Sequence, residues 1–311
     1  MIFMYMNRFI CLAILASALT LSAENPHFSV VNNPEIPSKM TFAGQSVDLD
    51  RTDRFERLDR ELTSMAYTHG NTLLQIKRAN RYFPVMAPIL KKNGVPEDLL
   101  YLACIESTLD PRAVSPAKAA GLWQFMPSTG RDFGLEVTAD VDERFDPEKS
   151  TEAACKYLKK AFDKYGSWES VAASYNAGMG RISREQTGQG ASSAYDLWLP
   201  NETMRYIYRL LAAKVIMENP AHYGFSLTAD QLYQPLEFRN IEVSTAVDSW
   251  AEWAKARKIN YMILREYNPW IRSDKLPNPD GKTYIVKIPT DDSMSRSHQH
   301  KHVYNHRWIK K

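Results

Sequence analysis

The chain lacks the features that mark several large classes of protein. Its 311 residues carry a net charge of only +3, too little for a dedicated nucleic-acid binder. After residue 23 it contains no stretch apolar enough to span a bilayer. Only three cysteines are present. Aromatic residues, in contrast, make up 11% of the chain, more than a disordered protein carries. At this length we expect about two domains and a substantial core.

Residues 1–23 are typical of a secretory signal peptide. Arg8 supplies the positive charge, and residues 9–21 form an apolar core that is too short to cross a bilayer. We therefore predict cleavage after Ala23 and an exported protein of the periplasm or cell envelope, with an uncleaved anchor as the alternative. Residues 24–47 contain three prolines and no clear periodicity, which indicates a tether.

Cleavage would leave two cysteines, Cys104 and Cys155. An oxidising compartment permits a disulfide between them. The sequence gives no distance between the two, however, and unpaired cysteines commonly pack in cores as small apolar residues. We therefore favour two buried free thiols and keep the disulfide as the alternative.

The most informative stretch begins with a predicted helix that ends before Asp110-Pro111, because the residue before a proline is pushed out of the helical conformation. Leu102, Ala103 and Glu106 share one face of this helix, so a carboxyl group lies on the side that the helix would bury. Burial and the negative end of the helix dipole would both raise its pKa. A carboxyl group that is protonated near neutral pH suits general-acid attack on a glycosidic oxygen. From this helix alone, a glutamate that reaches past the helix end into water would be the simpler interpretation.

Further motifs follow this helix in a fixed order. They are Glu106-Ser107, then Ser115, then Gly121-Leu122-Trp123-Gln124-Phe125-Met126-Pro127, then Ser174-Tyr175-Asn176-Ala177-Gly178, and then Glu202-Thr203 with Tyr206. One dipeptide would carry no weight, but several motifs in order and at matching spacing do. Over roughly residues 79–225 the chain resembles the lytic murein transglycosylases whose catalytic domain is similar to goose-type lysozyme. The resemblance implies a mainly α, lysozyme-like helical domain.

The resemblance also implies a reaction. It is cleavage of the β-1,4 bond between N-acetylmuramic acid and N-acetylglucosamine in peptidoglycan, with formation of 1,6-anhydro ends. Most glycosidases use two carboxylates, whereas here Glu106 would serve alone as acid and then as base. Neither a cofactor nor a metal is implied. The implied substrate-binding residues are Ser115, Gln124, Tyr175, Asn176, Glu202 and Tyr206.

The implied partners are the glycan strands of peptidoglycan, with other cell-wall enzymes as candidates, and we expect a monomer that binds no nucleic acid. Two other functions stay open. With water as the nucleophile, the same fold would be a lysozyme-like hydrolase, whose product is heavier by one water. With a degenerate cleft, it would be a non-catalytic peptidoglycan-binding envelope protein. The presence of Glu106, Gln124 and Tyr175 counts against the latter.

The loop after Ser115 departs from the pattern of the family at one position. Relatives usually carry a glycine where this chain has Lys118. A lysine takes up a backbone geometry suited to glycine only at a cost, so the loop is either altered or presents a charge to the polymer. In the same region Trp123 and Phe125 could stack on sugar rings, and packing in the core is an equal alternative for Trp123.

The C-terminal part predicts a different kind of structure. Residues 236–290 show the order strand, helix, helix, strand, which resembles a LysM module with Asn268-Pro269 as a matching turn. The usual opening Gly-Asp turn is missing, so sugar binding and a purely structural appendage both stay open. We predict that this region is dispensable for chemistry. In the tail, His298-Gln299-His300-Lys301-His302 is expected to be a solvated basic end, because these histidines lack an acidic or cysteine partner for a metal.

Taken in order, these predictions describe a mainly α protein with a small α+β module near its C-terminus. Asp146-Pro147 and Gly166 are expected to begin and end one of its longer helices. The expected parts are a signal peptide (1–23), a tether (24–47), a lysozyme-like transglycosylase domain with N-terminal packing helices (48–230), a LysM-like module (236–290) and a basic histidine-containing tail (291–311).

Overall fold

The computed structural model describes residues 32–310, and most of its regular structure is helical. The predicted signal peptide lies outside the described residues. The helices of the main body are α1 (Thr52–Tyr67), α2 (His69–Lys92), α3 (Leu100–Ser107), α4 (Pro127–Asp132), α5 (Pro147–Tyr165), α6 (Trp168–Ala177), α7 (Met179–Gln189) and α8 (Asn201–Glu218). Within residues 32–310, no helix combines the length and the apolar character that crossing a membrane requires.

Helix α5 shows how local sequence sets the ends of these helices. The Asp146 carboxylate accepts hydrogen bonds from the backbone N–H groups of Glu148 and Lys149, both at 2.9 Å, which are donors that the first turn leaves unpaired. Pro147 occupies the first helical position, and Gly166 ends the helix in the left-handed conformation at φ 66°. Both predicted ends of this helix are confirmed.

The short helix α3 lies in the middle of the hydrophobic core and packs against α2 and α8. Leu100, Leu102, Ala103 and Cys104 are each no more than 1% exposed. Tyr101, Ile105 and Glu106 are the half-buried residues of this helix. Cys104 and Cys155 are both buried and unbonded, as the favoured interpretation has it.

A small hairpin precedes the helices. Strands β1 (Met40–Phe42) and β2 (Gln45–Val47) pair antiparallel, and Ala43 between them donates its backbone N–H to Asp98 at 2.7 Å. Met40, Phe42 and Val47 belong to the main core. These residues fall in the segment interpreted as a tether (24–47). Residues 40–47 of that segment form the hairpin and pack against the main core. Strands of three residues are too short to show a recognisable alternation.

The C-terminal module comprises strands β3 (Phe238–Val243) and β4 (Tyr284–Pro289) with helices α9 (Trp250–Ala256) and α10 (Tyr261–Tyr267) between them. The strands pair antiparallel with Phe238 opposite Pro289 and Val243 opposite Tyr284. The module has its own core, built around Trp250, Leu264 and Val286. The predicted order of strand, helix, helix and strand is confirmed. A short helix, α11 (Asp291–Met294), follows the module.

Part of the described tail packs against the main body. Trp308 is 2% exposed, and its Nε1–H donates to the carbonyl oxygen of Met217 at 2.6 Å. The rings of Tyr304 and Trp308 pack edge-on against Phe83, and Ile309 forms a bridge with Leu227. The expected solvated basic end agrees with the exposed side chains of residues 298 and 300–302, whereas the apolar residues that follow them pack against the main core.

We expect the return of the tail to matter for stability. Replacing Trp308 with Ala removes a buried indole and should lower the free energy of unfolding by about 3–5 kcal/mol, measured by denaturant titration. The matched control is Trp198→Ala, since Trp198 is 77% exposed and such a surface change should stay within about 0.5 kcal/mol. Equal effects of the two substitutions would contradict the packing of the tail.

Candidate active site

The position of Glu106 depends on how α3 ends. The helix stops at Ser107, three residues before the predicted end at Asp110-Pro111. Thr108 and Leu109 both take the left-handed conformation, at φ 54° each. Their N–H groups donate to carbonyl oxygens of the last turn, Thr108 to Cys104 at 3.0 Å. The early end places Glu106 in the final turn of the helix, beside its open C-terminal side.

The environment of Glu106 raises the pKa of its carboxyl group toward neutral pH. Burial is the largest effect and raises its pKa to about 7, because the charged form loses hydration. The hydroxyl of Tyr206 donates a hydrogen bond to Glu106 Oε1 at 2.6 Å, which lowers the pKa. The charge of Arg209 lowers it further, and that of Glu202 raises it. The prediction that Glu106 lies on a buried face that raises its pKa agrees with this geometry.

Helix α8 brings three of these groups together. Tyr206 is 3% exposed, and burial and the neighbouring Glu106 hold its pKa well above the usual value, so it keeps its proton. The Arg209 guanidinium lies 5.9 Å from the centre of the Tyr206 ring and forms an ion pair with Glu202. The Glu202 side chain is 63% exposed. Glu202 therefore acts on Glu106 from a distance and through Arg209.

We refer to residues 113–125 as the substrate loop. The oxygen of the Ser115 hydroxyl accepts from the backbone N–H of Ala119 at 3.0 Å, so this side chain holds its own loop. Lys118 has φ 66°, the left-handed conformation that glycine adopts most easily. The unusual lysine therefore keeps the geometry expected for a glycine, and its side chain is exposed.

Gln124 also holds the substrate loop. Its Nε2 donates to the carbonyl oxygens of Gly121 at 2.8 Å and Ala113 at 3.2 Å. The two aromatic residues beside it are both buried, Trp123 at 0% exposure and Phe125 at 3%. The indole of Trp123 donates to Thr151 at 2.9 Å, which satisfies its one polar atom inside the core. Of the two alternatives kept for Trp123, the structure has packing in the core, while Phe125 forms part of the wall of a cavity.

The end of helix α6 supplies the other wall. The Tyr175 hydroxyl donates to the carbonyl oxygen of Trp123 at 2.8 Å. Asn176 is exposed, and its Oδ1 accepts from the Thr203 hydroxyl at 2.9 Å. A cavity of about 580 Å³ opens here, with walls that include Gln124, Phe125, Met126, Tyr157, Tyr175, Asn176 and Met179.

The structure thus brings most of the predicted site residues together. Burial and then the nearby charge of Glu106 raise the pKa of Tyr175 well above its usual value, so the two groups are neighbours, as are Glu106 and Tyr206. Sequence reasoning missed Arg209. It follows Tyr206 by three residues and Glu202 by seven on one helix, a spacing that places all three on one face and could have revealed it.

Two family models match the chain. The model described as Transglycosylase SLT domain matches residues 84–197. The model described as Soluble lytic transglycosylase C-terminal LysM-like domain matches residues 239–292. These ranges contain Glu106, the substrate loop, the end of α6 and nearly all of the C-terminal module.

Several proteins are similar to this chain. It is 34% identical over 238 residues to membrane-bound lytic murein transglycosylase D of Escherichia coli (strain K12), covering 74% of this chain and 50% of that protein. It is 31% identical over 151 residues to membrane-bound lytic murein transglycosylase C of Histophilus somni (strain 2336), covering 41% of this chain and 42% of that protein. The chain spans about half the length of the first relative and 42% of the length of the second.

Among solved structures, the 70-kDa soluble lytic transglycosylase of Escherichia coli aligns with a TM-score of 0.38 and 20% identity over 56% of this chain and 33% of that chain. The sequence matches confirm the resemblance drawn from the motifs. The chain therefore carries a transglycosylase SLT domain, followed by a LysM-like domain of the kind that ends soluble lytic transglycosylases.

Proposed function

We propose that the protein is a lytic transglycosylase that cleaves the β-1,4 bond between N-acetylmuramic acid and N-acetylglucosamine in peptidoglycan and leaves 1,6-anhydro ends. The observation that supports this most strongly is the buried carboxyl group of Glu106, which accepts a hydrogen bond from Tyr206 at 2.6 Å and has its pKa raised to about 7 within the range matched by the SLT domain. The names of the similar murein transglycosylases support the substrate class.

In the first step Glu106 acts as the general acid. Its Oε1 already accepts the hydrogen bond of Tyr206, so Oε2 is the oxygen that carries the proton to the glycosidic oxygen. The bond between C1 of the muramic sugar and that oxygen breaks, and the glucosamine part leaves as an alcohol. The acetamido oxygen of the substrate stabilises the positive charge that develops on C1.

In the second step the same residue acts as the base. The ionised carboxylate takes the proton of the muramic C6 hydroxyl, whose oxygen attacks C1 and closes the anhydro ring. The proton returns to Glu106, so no water is consumed and the enzyme is restored. An intramolecular hydroxyl has a high effective concentration, which makes it competitive with water. Tyr206 and Arg209 stabilise the carboxylate between the two steps, since both favour its ionised form.

The remaining site residues are proposed to hold the sugar. Ser115 uses its oxygen as an acceptor within the loop and retains its hydroxyl hydrogen for a substrate oxygen. Gln124 directs its amide hydrogens at the loop, so its Oε1 is the atom suited to a sugar hydroxyl. Asn176 presents its exposed amide nitrogen, because its Oδ1 is bonded to Thr203. Tyr175 forms part of the cavity wall.

We further propose that the protein acts in the cell envelope. The signal-like residues 1–23 and the substrate class both favour export. One similar protein is named a membrane-bound lytic murein transglycosylase. The glycan strand is the proposed partner, and the protein is proposed to work as a monomer.

Digestion of purified murein sacculi tests the reaction. Mass spectrometry of the released disaccharide-peptides should show products one water lighter than those of a hydrolase. Glu106→Gln keeps the size of the side chain but cannot donate and accept the proton, so turnover should fall by about 10³-fold or more. Binding to sacculi, measured by co-sedimentation, should survive.

The matched control is Glu56→Gln, the same substitution at an exposed position on α1 that lies outside the site. It should keep full activity. Products that contain the added water would assign the protein to the hydrolases. Near-normal turnover by a folded Glu106→Gln variant would rule out the single-carboxylate mechanism, and attention would move to Glu202.

The dependence of the rate on pH should report the protonation of Glu106. The first step needs the protonated acid, so the rate should fall as the pH rises through about 7. Tyr206→Phe removes a hydrogen bond that favours the ionised form, so the pKa of Glu106 should rise and the alkaline midpoint should move up by about one pH unit.

Tyr208→Phe is the control, because this buried tyrosine lies on the same helix and its hydroxyl has no hydrogen-bond partner among residues 32–310. Its alkaline midpoint should equal that of the unmodified protein. A midpoint that moves to lower pH in Tyr206→Phe, or does not move, would contradict the proposed role of Tyr206.

A further inference from the structure

The substrate loop is held from outside the site by a residue to which the mechanism above gives no part. Arg144 donates from Nη1 to the carbonyl oxygens of Lys118 and Phe125, both at 2.8 Å. Its side chain is 8% exposed. The two bonds clamp the loop at its turn and at its end, so the positions of the residues between them depend on Arg144.

Arg144 is itself fixed in two ways. Asp142 binds its guanidinium through both carboxylate oxygens, Nε to Oδ1 at 2.9 Å and Nη2 to Oδ2 at 2.7 Å. Such two-point pairing sets the orientation of the guanidinium plane as well as its place. The backbone of Arg144 also lies directly against Gly121 of the loop. A Cβ atom on Gly121 would lie 1.8 Å from the Arg144 carbonyl oxygen, so only glycine fits at this position.

The C-terminal module holds the segment that carries this pair. The backbone N–H of Asp142 donates to the carbonyl oxygen of Trp270 at 2.9 Å, and that of Arg272 donates to Asp140 at 2.8 Å. The Arg272 guanidinium lies 4.2 Å from the centre of the Phe145 ring. Val141, between these contacts, is buried in the core of the module rather than in the main core.

Between the two clamped positions, the substrate loop contacts the helix of Glu106. The hydroxyl of Ser107, the residue next to Glu106, donates to the carbonyl oxygen of Leu122 at 2.9 Å. Tyr175 donates to the next carbonyl along, that of Trp123. A continuous set of hydrogen bonds therefore runs from the module through Asp142 and Arg144 into the substrate loop and on to α3.

We propose that Arg144 is a positioning residue and that the C-terminal module, through Trp270 and Arg272, sets the geometry of the substrate loop. The module then contributes to the rate without touching the reacting atoms. This differs from the expectation that the module is dispensable for chemistry. The inference rests on the proposed function, because it gives the loop the task of holding the sugar beside Glu106.

Two arginines of the module provide a matched test in the full chain. Arg272 stacks on Phe145 of the main body and donates to its own module at Pro269, whereas Arg257 stacks on Trp253 at 4.1 Å and donates to the Trp253 carbonyl, both within the module. Arg272→Ala and Arg257→Ala thus remove the same kind of contact, one at the interface and one away from it.

Arg272→Ala should lower kcat/KM on murein strands by about 3- to 30-fold, the range typical of substitutions along a coupling route. Hydrogen exchange of amides 113–125 should become faster in the same variant. Arg257→Ala should change neither quantity. The alkaline midpoint of the rate should stay near 7 in both variants, because the burial of Glu106 is unaltered. Both variants are compared at a temperature where circular dichroism shows them fully folded.

A second variant acts on the clamp itself. Arg144→Lys keeps the charge, but one ammonium group cannot bind Asp142 at two points and reach both loop carbonyls, so the same changes should appear and be larger. Should this variant fail to fold, the Arg272 and Arg257 pair decides alone. Exchange is measured without substrate, so a failure of the proposed function leaves that result intact.

Three results would overturn the inference. The first is equal exchange of amides 113–125 in Arg272→Ala and Arg257→Ala. The second is loss of turnover in Arg272→Ala without faster exchange in the loop, which would mean that the module acts by another route. The third is faster exchange with unchanged kcat/KM in a protein that is active, which would make the loop geometry irrelevant to the rate.

Discussion

The hydrogen bond from Tyr206 to Glu106 is the interaction on which the rest of the site depends. Burial raises the pKa of Glu106 and so favours the protonated acid, whereas the hydrogen bond lowers it and so favours the ionised base. The two effects act together and hold the pKa of Glu106 at about 7. A residue that must first give a proton and then take one needs such a balance, because either extreme would make one of the two steps slow. The buried helices α3 and α8 maintain the balance by fixing both partners.

The position of Glu106 and the residues proposed around it could be predicted from the sequence, because helical spacing and short motifs are local features of the chain. Helical spacing put Glu106 on an apolar face, and the resemblance named Tyr175 and Tyr206 as substrate-binding residues; that both lie next to Glu106 came from the structure. The sequence left open whether Lys118 alters its loop or presents a surface charge; the structure has φ 66° at this residue and an exposed side chain. The strand and helix order of the C-terminal module followed from periodicity as well.

The rest depends on contacts between residues that are far apart in sequence. The β1–β2 hairpin and the tail around Trp308 pack against parts of the core that are distant in sequence. The local sequence periodicity does not predict such contacts. The sequence could not decide between sugar stacking and core packing for Trp123, because its hydrogen bond to Thr151 joins distant parts of the chain. The clamp of Arg144 on the substrate loop needs Asp142 and Trp270 together, a pairing that spacing along the chain cannot reveal.

The central claim is that Glu106 titrates near neutral pH because of where the fold places it. Carbon-13 NMR of the chain labelled at the glutamate carboxyl carbons measures this directly, with Glu106→Gln used to assign the signal. The account predicts that the Glu106 resonance of the free protein has its midpoint at about 7. A midpoint near the unperturbed glutamate value of roughly 4.3 would contradict it, because the residue would then be ionised at the pH where it must donate its proton.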